Sequence, residues 1–169
     1  MKWIRFCVPL LSSVIVILPS LGAAQQTGAP SPQTEKTLRA TFRRLIDSEN
    51  AHDIATVNSF LWESPSTLFV AKTKTPEEGN WAGFWGQKGV ADHLNELYQG
   101  TFLMAPDYSR EKVVQLAPTV AQTYVPLMIS VGYAGQSGTP KPFLMIVEWV
   151  KVRGQWKMAT DIALPIPLP

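Results

Sequence analysis

A chain of 169 residues with 46% hydrophobic and 17% charged side chains is long enough for one domain with a sizeable core, and too apolar to be disordered. The formal net charge of +2 comes from Lys2 and Arg5; beyond them, 13 basic side chains stand against 13 acidic ones, which excludes nucleic acid and anionic membranes as expected partners. The single cysteine, Cys7, excludes disulfide and thiolate chemistry in the rest of the chain.

Residues 1–24 read as a signal peptide. "MKWIR" is a basic start, and "FCVPLLSSVIVIL" is an apolar run broken by Pro19 and Ser20. "GAA" then supplies small residues for cleavage. The run is shorter than the roughly 20 residues that span a bilayer. The expectation is a secreted or periplasmic protein with no membrane attachment after cleavage. Residues 25–34 are a polar, Pro-containing linker, residues 35–164 a single domain, and "PIPLP" at 165–169 an extended tail.

Within the domain, Leu38, Phe42, Leu45, Ile46 and Glu49 recur at helical spacing and predict a helix over 33–50. Asp53 caps a second, shorter helix carrying Ile54, Val57, Phe60 and Leu61, which ends at Ser64 and Pro65. "STLFVAK" reads as a strand, "TKTPEEGN" as a loop and "WAGFWGQKG" as an aromatic loop. A third helix runs over about 90–98. The period then changes to two. Strands are expected over 108–116, 119–133, 142–152 and 155–164, the last pair joined by a tight "RG" turn. Helices grouped early and strands late indicate an α+β domain in which a curved antiparallel sheet wraps three helices and leaves a cavity at its open end.

Three stretches in this order resemble the cone-shaped superfamily of nuclear transport factor two, ketosteroid isomerase and the SnoaL-like cyclases. "SENAHDIATVNSFL" is similar to its helix–turn–helix, "GFWGQKGVADHL" to the entry of its third helix, and "VEWVKVRGQWKM" to its closing hairpin. The resemblance covers 35–162 and implies a cone whose outer sheet often pairs with a second copy, so a homodimer is an open option. It also implies positions for the isomerase's catalytic Tyr, base and acid. They fall on Leu45, near Phe69, and on Glu148, so one of the three survives and steroid isomerisation of that type is not expected. The family's dehydratases need a His paired with acids, which here only His93 or His52 supplies.

Glu148 is the most conspicuous polar residue of the strands. It alternates with Leu144, Ile146, Val150 and Val152, while the opposite face ends in Lys151 and Arg153. That pattern favours the Glu148 face as the interior, where a carboxyl group is desolvated and held neutral. The other reading is an outward acid paired on the surface. His93 and Glu148 are the candidate catalytic residues, with Asp92 and Asp161 as further titratable partners. Phe69, Trp81, Phe84, Trp85, Tyr124 and Glu148 are the candidate ligand contacts, the aromatic loop forming either a wall over the pocket or a satellite core. Two histidines without cysteines make no metal pattern, and no cofactor motif is present, so no metal and no cofactor is expected. These features point to binding of a small apolar or carbonyl-bearing ligand. A proton-transfer enzyme is the second reading and a dimeric interaction module the third.

Overall fold

The computed structural model describes residues 28–74 and 81–166, so the signal-peptide segment and most of the loop before Trp81 lie outside it. Helix α1 (Pro32–Asn50) begins where the Ser31 hydroxyl accepts the Thr34 N–H, with proline in the first turn. Its buried stripe is the expected Leu38, Phe42, Leu45 and Ile46, joined by Glu49. Helix α2 (Ile54–Phe60) is capped by Asp53, whose side chain accepts the Thr56 N–H at 3.0 Å. Strand β1 (Leu68–Lys72) follows, then β2 (Trp81–Trp85), helix α3 (Gly86–Leu97), β3 (Thr101–Pro106), β4 (Lys112–Ala117), β5 (Val120–Gly132), β6 (Lys141–Val152) and β7 (Gln155–Pro165).

The strands form one curved sheet in the order β2-β1-β7-β6-β5-β3, with β4 also on β5. The architecture is the expected α+β cone. The sheet is mixed, because β1 runs parallel to β7 while every other pair is antiparallel. No hairpin joins β1 to β7, so nothing forces them to run opposite. Among the described residues, no helix is long and apolar enough to cross a membrane.

Two strands were not expected. The "aromatic loop" is β2 running directly into α3, and β3 fills the short gap after α3. Each is only five or six residues long, and β2 contains Gly83, so neither carries a clear period-two signal. The outer edge of β3 is closed by the end of α1. The Asn50 amide donates to Met104 O at 2.8 Å and accepts from Met104 N at 2.7 Å, pairing with the strand as a neighbouring backbone would.

The inner face of β6 carries Phe143, Met145, Val147 and Trp149, all buried. The Trp149 indole N–H donates to Thr123 Oγ1 on β5 at 3.1 Å, which satisfies a polar atom in the deepest part of the core. Glu148 therefore lies on the outer face, contrary to expectation. There the Gln122 amide donates to Glu148 Oε2 at 3.1 Å, and Gln122 accepts from the Tyr124 hydroxyl. The charges at Lys151 and Arg153 misled the pattern. The strand runs past the core into the hairpin, so its last inward positions are already in solvent.

Strand β7 contains a bulge. Glu148 pairs with Thr160 but Trp149 pairs with Met158, leaving Ala159 as the extra residue. Trp156 and Met158 point inward before it, and Asp161 and Ala163 after it. The bulge thus turns Asp161 into the cone.

Candidate functional site

A narrow cavity opens between the sheet and the helices. Phe69, Ala71, Lys72, Trp81, Leu97, Phe102, Met104, Ile129, Val131, Phe143, Met145 and Ala163 line it, with Glu49 as its one acid. It leaves about 30 Å³ for the centre of a water-sized sphere, room for about two waters. Met104 and Met145 flank it, and their unbranched side chains can rearrange to admit something larger.

Beside it three polar groups come together from distant parts of the chain, and of these Glu49 borders the cavity itself. Glu49 sits in the last turn of α1 with 2% of its surface exposed, and Asp161 on β7 with none. Both Asp161 oxygens and the Tyr98 hydroxyl, just after α3, are buried without a hydrogen-bond partner. Burial pushes the Glu49 carboxyl well above the usual carboxylate range, and the charge of Asp161 raises it further. Burial raises Asp161 to about 7. Burial also drives the Tyr98 hydroxyl up, with Glu49 and Asp161 adding to the effect, so the phenol stays protonated. Among the described residues no cation pairs with either acid. The contrast is Glu111, a buried acid that has Arg39 Nη1 3.0 Å from its Oε2. Two like carboxyls without a cation cannot both ionise cheaply, so at neutral pH the pair keeps at least one proton and can donate as well as accept.

The wall beside Tyr98 is aromatic. The exposed His52 ring stacks on Tyr98 at 4.7 Å and 1°, and its Nε2–H donates to Phe102 O at 3.1 Å. His52 holds a left-handed backbone, φ 56°, at the turn between α1 and α2.

The residues singled out from sequence are scattered. Phe69 and Trp81 line the cavity, Trp81 packing on Phe143 at 5.7 Å. Phe84 lies outside the lining and stacks on His93, ring centres 3.5 Å apart. Trp85 is 63% exposed at the start of α3. Tyr124 and Glu148 belong to the outer face, where they share Gln122. His93 is 3% exposed and outside the cavity. Its Nε2–H donates to Lys72 O at 3.0 Å, and Nδ1 lies 3.6 Å from Glu96. Burial lowers its pKa despite Glu96, so His93 is a neutral clamp between α3 and β1. Asp92 is on the surface, 2.5 Å from Lys88. Of the candidate acids, Asp161 alone lies inside the cone.

The reading missed Glu49 and Tyr98 as site residues. Glu49 did carry a signal, an acid on the apolar stripe of α1, which is an expensive place for a carboxylate. Tyr98 carried none, since an aromatic at helical spacing reads as core. Among the described residues no group of three or more His, Cys, Asp or Glu is arranged to hold a metal.

No protein-family model matches the chain, and no curated protein matches its sequence. Solved structures match its fold. A Caulobacter vibrioides protein of cystatin-like fold superposes with TM-score 0.67 at 11% identity, covering 80% of this chain and 91% of that one. A Streptomyces avermitilis protein assigned provisionally as a dehydratase of the NTF2-like (nuclear transport factor two-like) family gives 0.64 at 14%, covering 82% and 100%. An NTF2-like protein of unknown function from Pseudomonas putida gives 0.62 at 14%, covering 80% and 89%. The fold is the NTF2-like cone that the sequence resemblance implied.

Proposed function

We propose that the cone binds a small, largely apolar ligand and that the Glu49–Asp161 carboxyl pair anchors the ligand's polar atom. The observation behind this is that Glu49, which borders the apolar cavity, is buried beside Asp161, and that among the described residues no cation pairs with either acid. Such groups cost several kcal/mol to bury, a cost the rest of the fold must offset, and strongly perturbed buried acids concentrate at functional sites. A ligand oxygen placed between the carboxyls accepts a hydrogen bond from the protonated one and relieves the unsatisfied Tyr98 hydroxyl. The expected setting, outside the cytoplasm, follows from the signal-peptide reading of residues 1–24.

A thermal-shift screen of small ketones, lactones and cyclic hydrocarbons tests this. Carbonyl compounds should raise Tm, and the response should vanish in Asp161→Asn and Glu49→Gln but survive in Glu148→Gln. A response lost in Glu148→Gln and kept in the other two would move the site to the outer face.

The pKa of Asp161, raised to about 7, favours a second reading in which the pair also transfers protons. A group titrating near working pH can both take and return a proton, and the dehydratase assignment of the Streptomyces protein lends this chemistry some weight. Exchange of ketone α-protons in D2O, followed by NMR, reads it directly. Exchange no faster than in Asp161→Asn leaves binding alone.

We also propose a homodimer. The outer face of the sheet carries apolar cross-strand rows, Pro126–Leu144–Leu164 and Tyr124–Ile146–Ile162, with Leu164 50% exposed. A second copy of the same face would cover them.

A further inference from the structure

A second cleft lies between α1, the end of α2 and the β6–β7 hairpin. It offers about 390 Å³ to the centre of a water-sized sphere, against about 30 Å³ in the cone, and shares no lining residue with the cone cavity. Its polar walls are Thr37, Thr41 and Arg44 of α1, Ser59 of α2, and Gln155 and Lys157 of the hairpin. Contacts to two adjacent residues of α2 place both cations: Lys157 Nζ donates to Ser59 O at 2.7 Å, and Arg44 Cζ lies 5.3 Å from the centre of the Phe60 ring. Among the described residues neither cation is in an ion pair, and no acid lines the cleft. Of the acids on α1, Glu35 is held by Arg39, the charge of Asp47 bears on Tyr108, and Glu49 is buried in the cone; α2 has none. Glu77 and Glu78, the only acids outside the described residues, belong to the segment that follows β1. The end of β1 at Lys72 is two residues past Val70, whose partner Ile162 is five residues from Lys157, a distance of about 23 Å at ~3.3 Å per residue.

The hydroxyls of the cleft are committed as donors. Thr37 Oγ1 donates to Gln33 O at 2.8 Å, Thr41 Oγ1 to Thr37 O at 2.9 Å and Ser59 Oγ to Thr56 O at 2.6 Å. Each gives its proton to its own helix and is left to accept. Phe60 and Trp156 also line the cleft, but they are 6% and 8% exposed, with Arg44 over one ring and Lys151 over the other, so they offer little apolar surface. We propose that the cleft binds a hydroxylated anion, a sugar acid or a sugar phosphate, whose charged group meets Arg44 and Lys157 and whose hydroxyls donate to Thr37 and Thr41. The guanidinium fork suits a carboxylate or phosphate, and the Lys157 ammonium keeps two N–H groups beyond the one given to Ser59. A bare anion leaves the threonine oxygens without donors, and a neutral sugar leaves the two cations without a counter-charge. The site is independent of whatever the cone holds.

Titration with glucuronate, acetate, glucose 6-phosphate, inorganic phosphate and glucose, followed by NMR at the amides of Gly154, Gln155, Trp156 and Lys157, tests this. At least one sugar anion should bind at least about tenfold more tightly than both glucose and its own bare anion, and the advantage over glucose should weaken with salt. The tighter sugar anion identifies the charged group. In Arg44→Gln/Lys157→Gln it should fall to the affinity of glucose. In Thr37→Val/Thr41→Val, which keeps the shape of both side chains, it should fall to that of the bare anion, with amide resonances elsewhere unchanged to report an intact fold. Lys36→Gln/Lys112→Gln removes the same net charge away from the cleft and should leave binding as it was. A bare anion as tight as its sugar, or a charge preference that survives in the Arg44/Lys157 variant, would overturn the proposal. So would the absence of shifts at these amides with all five compounds.

Discussion

Asp161 concentrates the energetics of the site in one side chain. It is fully buried, both oxygens lack a partner, and burial raises its pKa to about 7. The folded state therefore holds this proton more tightly than the unfolded chain does. Stability from this group is complete below about pH 4, the unfolded value, and declines as pH rises to about 7, where the folded carboxyl ionises. Asp161→Asn keeps the shape and removes the titration. Scanning calorimetry should show the variant more stable than the parent at pH 8, with Tm several degrees higher, and the difference shrinking towards pH 4. A difference independent of pH would mean that the carboxyl does not ionise in this range. The same substitution should cost ligand binding, the trade between stability and function expected where an unfavourable group is kept for its chemistry.

The elements are organised so that helix ends serve the sheet. The end of α1 and the turn after it place Glu49 in the cone, Asn50 on the edge of β3 and His52 over Tyr98, three tasks within four residues. Asn50→Ala leaves the Met104 N–H and C=O without their partner. It should destabilise the fold by about 1–3 kcal/mol in urea titration, the cost of backbone groups stripped of hydrogen bonds, and should leave β3 open to pairing with other chains. A loss below about 0.5 kcal/mol would show that solvent replaces the amide at that edge. The amphipathic stripe of α1, the Asp53 cap and the β6–β7 hairpin were all legible in the sequence, because each depends on residues close in the chain. β2 and β3 were not, because strands this short gain their identity from their partners.

At the scale of the molecule, the concave face of the sheet encloses the helices and the cavity, and the convex face carries the apolar rows on which the proposed homodimer rests. A stable pair of this kind buries about 800 Å² per partner. Sedimentation equilibrium should give a dimer, and Ile146→Lys, in the middle of the face, should yield monomers that retain ligand binding. A monomeric parent would assign the outer rows to ordinary surface.

By itself the amino-acid sequence determined the three helices, the apolar stripe of α1, β1 and the strands from β4 on, which follow from periodicity, and periodicity needs only neighbours; the α+β cone was expected from the order of these elements and the family resemblance. Only the tertiary structure decided which face of β6 looks inward, since a strand that outruns the core carries charges on both faces. It also decided that Asp161 points into the cone, since one unpaired residue, Ala159, reverses the alternation. The site itself joins Glu49, Tyr98 and Asp161 across more than a hundred positions, a convergence that the closing of the sheet around the helices creates and that no local pattern can encode.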